Sequence, residues 1–104
     1  MTKERLYLFD TTLRDGAQTT GVDFSIADKR RIIGVLDQLG LDYIEGGYPG
    51  SNPTDTELFT AKPKLETSRF TAFGMTKRAG RSVSNDTGFQ ALLQSAADSI
   101  CLVA

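Results

Sequence analysis

The chain has 104 residues, 39% of them hydrophobic and 24% charged, with 12 Lys and Arg against 13 Asp and Glu and no histidine. That composition belongs to a soluble globular chain and excludes a disordered, fibrous or disulfide-built one, and a net charge of −1 with basic residues scattered apart from pairs such as Arg30-Arg31 and Lys77-Arg78 gives nucleic acid no footprint. The charged start and the short apolar stretch behind it offer neither a signal peptide nor a membrane span, and the single cysteine, Cys101, in an apolar run, is read as a buried, inert thiol that fits a reducing cytosol, so a cytoplasmic location is expected.

Leu6 to Phe9 is a compact apolar run closed by Asp10-Thr11-Thr12, and it predicts a strand buried on both faces. From Ser25 the period changes. Ser25 can cap a helix, with Asp28 three residues on, and Ile32, Leu36 and Leu39 follow at i, i+4 and i+7 with Ile33 widening the stripe, before Gly40 supplies the stop. Tyr43 and Ile44 open a second strand, ended by Gly46-Gly47 and the turn Tyr48-Pro49-Gly50. Asn52-Pro53 is a cap and first-position pair for a second helix through about Ala61. Pro63 must terminate it, because proline lacks the amide hydrogen and restricts Lys62.

Arg69 to Met75 makes a third strand. After a polar loop at Ser82 to Asp86, a helix from about Thr87 to Ala97 places Phe89, Leu92, Leu93 and Ala96 on one stripe, and Ser99 to Ala104 begins a fourth apolar strand. Strands alternating with helices across short joints are βαβ units. The fold class expected is therefore α/β with a parallel sheet and right-handed crossovers. The chain stops in or just after a hydrophobic strand with no helix to cover it, whereas parallel strands are shielded on both faces. This reads as a truncation within one incomplete domain, residues 1–104.

Three loops leave the C-terminal ends of three of these strands, the end at which α/β barrels and open sheets bind ligands. The first, Thr11-Thr12-Leu13-Arg14-Asp15-Gly16-Ala17-Gln18, packs a guanidinium, a carboxylate and an amide around a glycine. It offers a charge clamp, a metal ligand and a directional hydrogen-bonding group, although adjacent Arg and Asp are more often a surface ion pair. The second loop places Glu45 just before two glycines that let backbone approach a ligand, so Glu45 could support Arg14 or sit beside a cation; alone, such a residue is more often a salt-bridge partner. Gly46-Gly47-Tyr48-Pro49-Gly50 matches neither a P-loop nor a dinucleotide fingerprint.

Phe9-Asp10-Thr11-Thr12-Leu13-Arg14-Asp15-Gly16-Ala17-Gln18 closely resembles the first-strand signature of the isopropylmalate, homocitrate and citramalate synthases, metal-dependent TIM-barrel enzymes related to HMG-CoA lyase. The run from Asp42 through Ile44-Glu45-Gly46-Gly47-Tyr48-Pro49-Gly50 to Pro53, and Phe73-Gly74-Met75-Thr76-Lys77-Arg78-Ala79-Gly80, look most like the citramalate synthase branch, with Met75 a departure from a usual small polar residue. The resemblance spans nearly the whole chain. It implies that these residues form the first three or four strands of a (β/α)8 barrel, which needs about 250 residues when complete.

The same resemblance implies roles. Asp15 would ligate a divalent metal ion (Mg, Mn or Zn), Arg14 would be catalytic and substrate-binding by stabilising charge on the reacting oxygen, Gln18 would line the substrate pocket, and Glu45 would orient Arg14 or neighbour the metal. Histidines that complete the family's metal site are absent here. The reaction implied condenses acetyl-CoA with pyruvate to citramalate and CoA in branched-chain amino acid biosynthesis, with a larger 2-keto acid and 2-isopropylmalate as the near alternative. No nucleic acid or membrane partner is implied, and a homo-oligomer is expected because an unclosed parallel sheet leaves its edges bare. The rival of another class is a non-catalytic α/β module that binds a small acid or a partner.

Overall fold

A computed structural model describes residues 4–104. Strands β1 (Phe9–Asp10), β2 (Tyr43–Gly47), β3 (Arg69–Met75) and β4 (Ser99–Val103) form one sheet in the order β1-β2-β3-β4, every neighbouring pair parallel. Helices α1 (Ile26–Gln38), α2 (Pro53–Leu58) and α3 (Thr87–Leu93) are the crossovers. Each moves the chain one strand over, so spatial order follows chain order, as in the opening units of a (β/α)8 barrel.

Local chemistry sets the helix starts. Ser25 Oγ accepts from Asp28 N while the Asp28 carboxylate accepts from Ser25 N, a complete capping box. Asn52 caps α2 through Asp55 N with Pro53 in the first turn, and Asp86 caps α3 through Phe89 N. Gly40, at φ +83°, turns the chain out of α1 where a side chain would be strained.

Alternation then divides the sheet. Ile44, Phe70 and Ala72 face the helices and pack with Leu13, Ile33, Leu58, Phe59 and Leu92 into one core, where the Phe59 and Phe70 rings stack at 4.5 Å. Gly46 belongs to this face because a Cβ there would lie 2.5 Å from Phe70 Cε1. Glu45, Thr71 and Phe73 alternate with those residues and point the other way, Thr71 opposite Ser99 and Phe73 opposite Cys101. At the N-terminal end of the sheet, the buried Asp37 carboxylate of α1 accepts from the backbone N–H groups of Glu66, Thr67 and Ser68, pinning the entry to β3.

Several expectations are corrected. Leu6 to Phe9 is not buried on both faces: Leu6 is 82% exposed and Phe9 43%, and only Phe9–Asp10 forms strand. As the edge strand it has a neighbour on one side, and just ahead of Phe9 the Leu8 carbonyl accepts from Asp42 N and Tyr43 N while Leu8 N donates to Asp42 Oδ2. β4, the other edge, likewise leaves Ile100, Leu102 and Val103 exposed and Cys101 half-buried rather than buried. Helix α1 buries Lys29, Ile33 and Asp37, whereas Leu39 caps the helix end and is exposed. Helix α2 stops at Leu58, before Ala61, and α3 at Leu93, before Ala97, since Ala96 N reaches across to the Phe59 carbonyl and draws both ends out of helix. β2 runs on through Gly46-Gly47 with an irregularity between Glu45 and Gly47, and the Ser82–Asp86 loop contains a 3-10 turn, Val83–Asn85, with its own capping box. No helix among the described residues is long and apolar enough to cross a membrane.

Candidate active site at the strand ends

The loop after β1 is turned by its own polar groups. Asp10 accepts from Thr12 N and Thr12 Oγ1, the Thr11 carbonyl accepts from the N–H groups of Arg14, Asp15 and Gly16, and a 3-10 turn at Gly16–Gln18 follows. Leu13 is wholly buried in the core, which anchors the loop and leaves Arg14 directed over the opposite face of the sheet.

There Arg14 Nε donates to Glu45 Oε1 at 2.8 Å, and the guanidinium carbon lies 4.1 Å from the centroid of the Phe73 ring. The Tyr48 ring meets Phe73 edge-on at 5.0 Å and braces that platform. Glu45 is 1% exposed, a burial that a carboxylate tolerates only beside a compensating charge. Its second oxygen, Oε2, is buried with no hydrogen-bond partner among the described residues. The Cys101 thiol of β4 lies beside this carboxylate. Burial pushes its pKa up, the neighbouring Glu45 carboxylate raises it further, and Arg14 opposes them. Only Nε of Arg14 is engaged, so both terminal amino groups of the guanidinium lack a protein acceptor among the described residues.

The structure therefore joins Arg14 to Glu45 directly. Gln18 is exposed but shares with Arg14, Ala17, Tyr48 and Ser51 the lining of a hollow of about 130 Å³. Asp15 stands apart, exposed and free of any ion pair or side-chain hydrogen bond among the described residues. Arg14 and Asp15 thus form no ion pair with each other; the arginine's partner comes from the second strand.

Asp15 can offer one hard oxygen to a divalent cation, but no group of three His, Cys, Asp or Glu among the described residues could hold one. A cation at Asp15 fits this chain only if further ligands come from elsewhere.

Lys29 and Asp55 were not singled out in the sequence, and Phe73 and Cys101 were placed there only as strand residues, not beside Arg14 and Glu45. A signal existed for three of these four. Glu45, Thr71, Phe73 and Cys101 share one face by simple alternation, and Lys29, Ile33 and Asp37 recur every four residues on the buried stripe of α1. Lys29 Nζ donates to Asp55 Oδ1 at 2.6 Å behind the two loops.

Residues 5–85 match the family model described as HMGL-like. The chain is 46% identical to the (R)-citramalate synthase of Streptomyces coelicolor, an alignment covering 97% of this chain and 20% of that protein. It is 45% identical to the (R)-citramalate synthase of Aquifex aeolicus over 88% of this chain and 18% of that protein. The 2-isopropylmalate synthase of Listeria welshimeri is 48% identical over 59% of this chain and 12% of its own length. The chain spans about a fifth of the length of the citramalate synthases it matches.

Proposed function

The chain belongs to the HMGL-like family, and we propose that it supplies the opening strands of an acyltransferase that condenses acetyl-CoA with pyruvate to give citramalate and CoA. One observation carries this reading. Arg14 is held at Nε by a buried carboxylate and beneath by an aromatic face, so its two free amino groups are preorganised donors at the strand ends. In the reaction the acetyl methyl group loses a proton, its carbon attacks the keto carbon of pyruvate, the keto oxygen becomes an alkoxide that is protonated, and water cleaves the thioester. Arg14 binds the keto acid and meets the negative oxygen, Glu45 orients Arg14, and Gln18 lines the pocket. A divalent cation with Asp15 as one ligand would polarise the keto oxygen.

The citramalate branch is favoured over 2-isopropylmalate because the resemblance to citramalate synthases continues through β3 and its exit loop, whereas the 2-isopropylmalate synthase match covers 59% of the chain. With one candidate metal ligand and an open sheet, these 104 residues are inactive by themselves and act within a longer homo-oligomeric enzyme, without nucleic acid or membrane.

The test is pyruvate-dependent thiol release from acetyl-CoA by the full-length enzyme, beside a larger branched 2-keto acid. Pyruvate should be preferred by roughly tenfold or more, the scale on which a pocket sorts apolar groups. In the same assay excess metal should restore part of the activity of Asp15→Asn and none of that of Arg14→Ala. No thiol release with any 2-keto acid, or equal rescue of both variants, overturns the reading.

A further inference from the structure

Lys29 is 3% exposed, and its ammonium uses all three hydrogens. Nζ donates to the Leu13 carbonyl at 2.8 Å, to the Gly46 carbonyl at 3.0 Å and to Asp55 Oδ1 at 2.6 Å. The first carbonyl belongs to the peptide bond that leads into Arg14, and the second to the residue directly after Glu45. Asp55 Oδ2 in turn accepts from Tyr48 N at 2.9 Å and Asn52 Nδ2 at 3.2 Å, closing the second loop on the same carboxylate. The glycines admit this arrangement: a Cβ on Gly47 would lie 2.5 Å from Asp55 Oδ2.

We infer that Lys29 is a positioning residue, one buried ammonium that ties the backbone before Arg14 and the backbone after Glu45 to a common carboxylate and so sets the geometry of the Arg14–Glu45 pair. Stability alone does not explain it. A buried ion pair is commonly matched or exceeded by apolar residues of the same volume, but apolar residues cannot hold carbonyls of two different loops at hydrogen-bonding distance from one atom. Two loops that vary independently would let Nε of Arg14 leave Glu45, and an error of about 1 Å at a reacting group can cost about 100-fold in rate.

This inference rests on the acyltransferase reading, and its test separates the two. In the full-length enzyme, Lys29→Met should lower kcat roughly 10- to 100-fold per folded molecule with little change in KM for acetyl-CoA. The double variant Lys29→Met/Asp55→Asn removes both charges and leaves an oxygen for Tyr48 N, so it should regain thermal stability while kcat stays low. Asp37→Asn, at the opposite end of the sheet, should lose stability yet keep kcat per folded molecule. In nitrogen-15 spectra the Arg14 Nε–H proton, protected by Glu45, should exchange faster in Lys29→Met. That readout needs no substrate and decides the role of Lys29 even if the wild type releases no thiol. A kcat that recovers with stability in the double variant, an unchanged Nε–H exchange rate, or failure of both Lys29 variants to fold makes Lys29 a structural cation and overturns the inference.

Discussion

The Arg14 guanidinium carbon sits 4.1 Å from the centroid of the Phe73 ring, so the cation is bounded by an aromatic face as well as by Glu45. A cation over a ring gains about 0.5–2 kcal/mol, more where water is excluded. Phe73→Leu in the full-length enzyme should therefore lower kcat/KM roughly 2- to 30-fold, and Phe73→Tyr, which keeps the face, should stay near wild type. Steady-state kinetics on both variants check this. Equal values for Leu and wild type would reduce the ring to packing.

Cys101 reports on Glu45. Burial, then the neighbouring carboxylate, holds the thiol above its ordinary range. Glu45→Gln removes the negative charge and leaves Arg14 to act alone on the thiol, so the pH midpoint for iodoacetamide alkylation of Cys101 in the folded chain should fall. The measurement is alkylation rate against pH in both proteins. An unchanged midpoint would assign the whole effect to burial.

Asp37 makes stability depend on pH. Burial alone would raise its pKa, but the N–H groups of Glu66, Thr67 and Ser68 and the Thr67 hydroxyl outweigh it and hold the carboxyl well below its usual value. The folded-state pKa is depressed, so the contribution is complete above the unfolded carboxyl's pKa near 3.9 and is lost as pH falls below it. Asp37→Asn should cost roughly 1–3 kcal/mol at neutral pH, and the deficit should shrink as pH falls below about 3.9, where the unfolded carboxyl takes up a proton while the folded one stays ionised. Thermal unfolding of both proteins across pH 2–7 tests it; a constant difference would contradict the assignment.

Element order was legible in the sequence because it is written in local chemistry: Ser25 with Asp28, Asn52 with Pro53, Gly40 past the helix end. The parallel α/β class follows from that order. Arg14, Asp15, Gln18 and Glu45 could be picked out because they crowd the exits of two strands, and a signature that holds such residues at fixed short spacing survives in one dimension.

Burial at the edges was not legible. The apolar run Leu6 to Phe9 reads as core wherever a neighbour covers it, and whether one does is a property of the sheet, in which β1 and β4 each have one partner. Nor was the partner of each charge. Arg14 and Asp15 adjoin in sequence but do not pair, since Leu13 anchors the loop in the core and turns the guanidinium over the face where Glu45 and Phe73 already point. Lys29 and Asp55 are 26 residues apart and meet only when α1 and α2 pack behind the two loops. The sequence by itself determined which groups stand at the strand ends. The tertiary structure decided which are paired, because an ion pair in a buried site is made by the geometry of packed elements and not by distance along the chain.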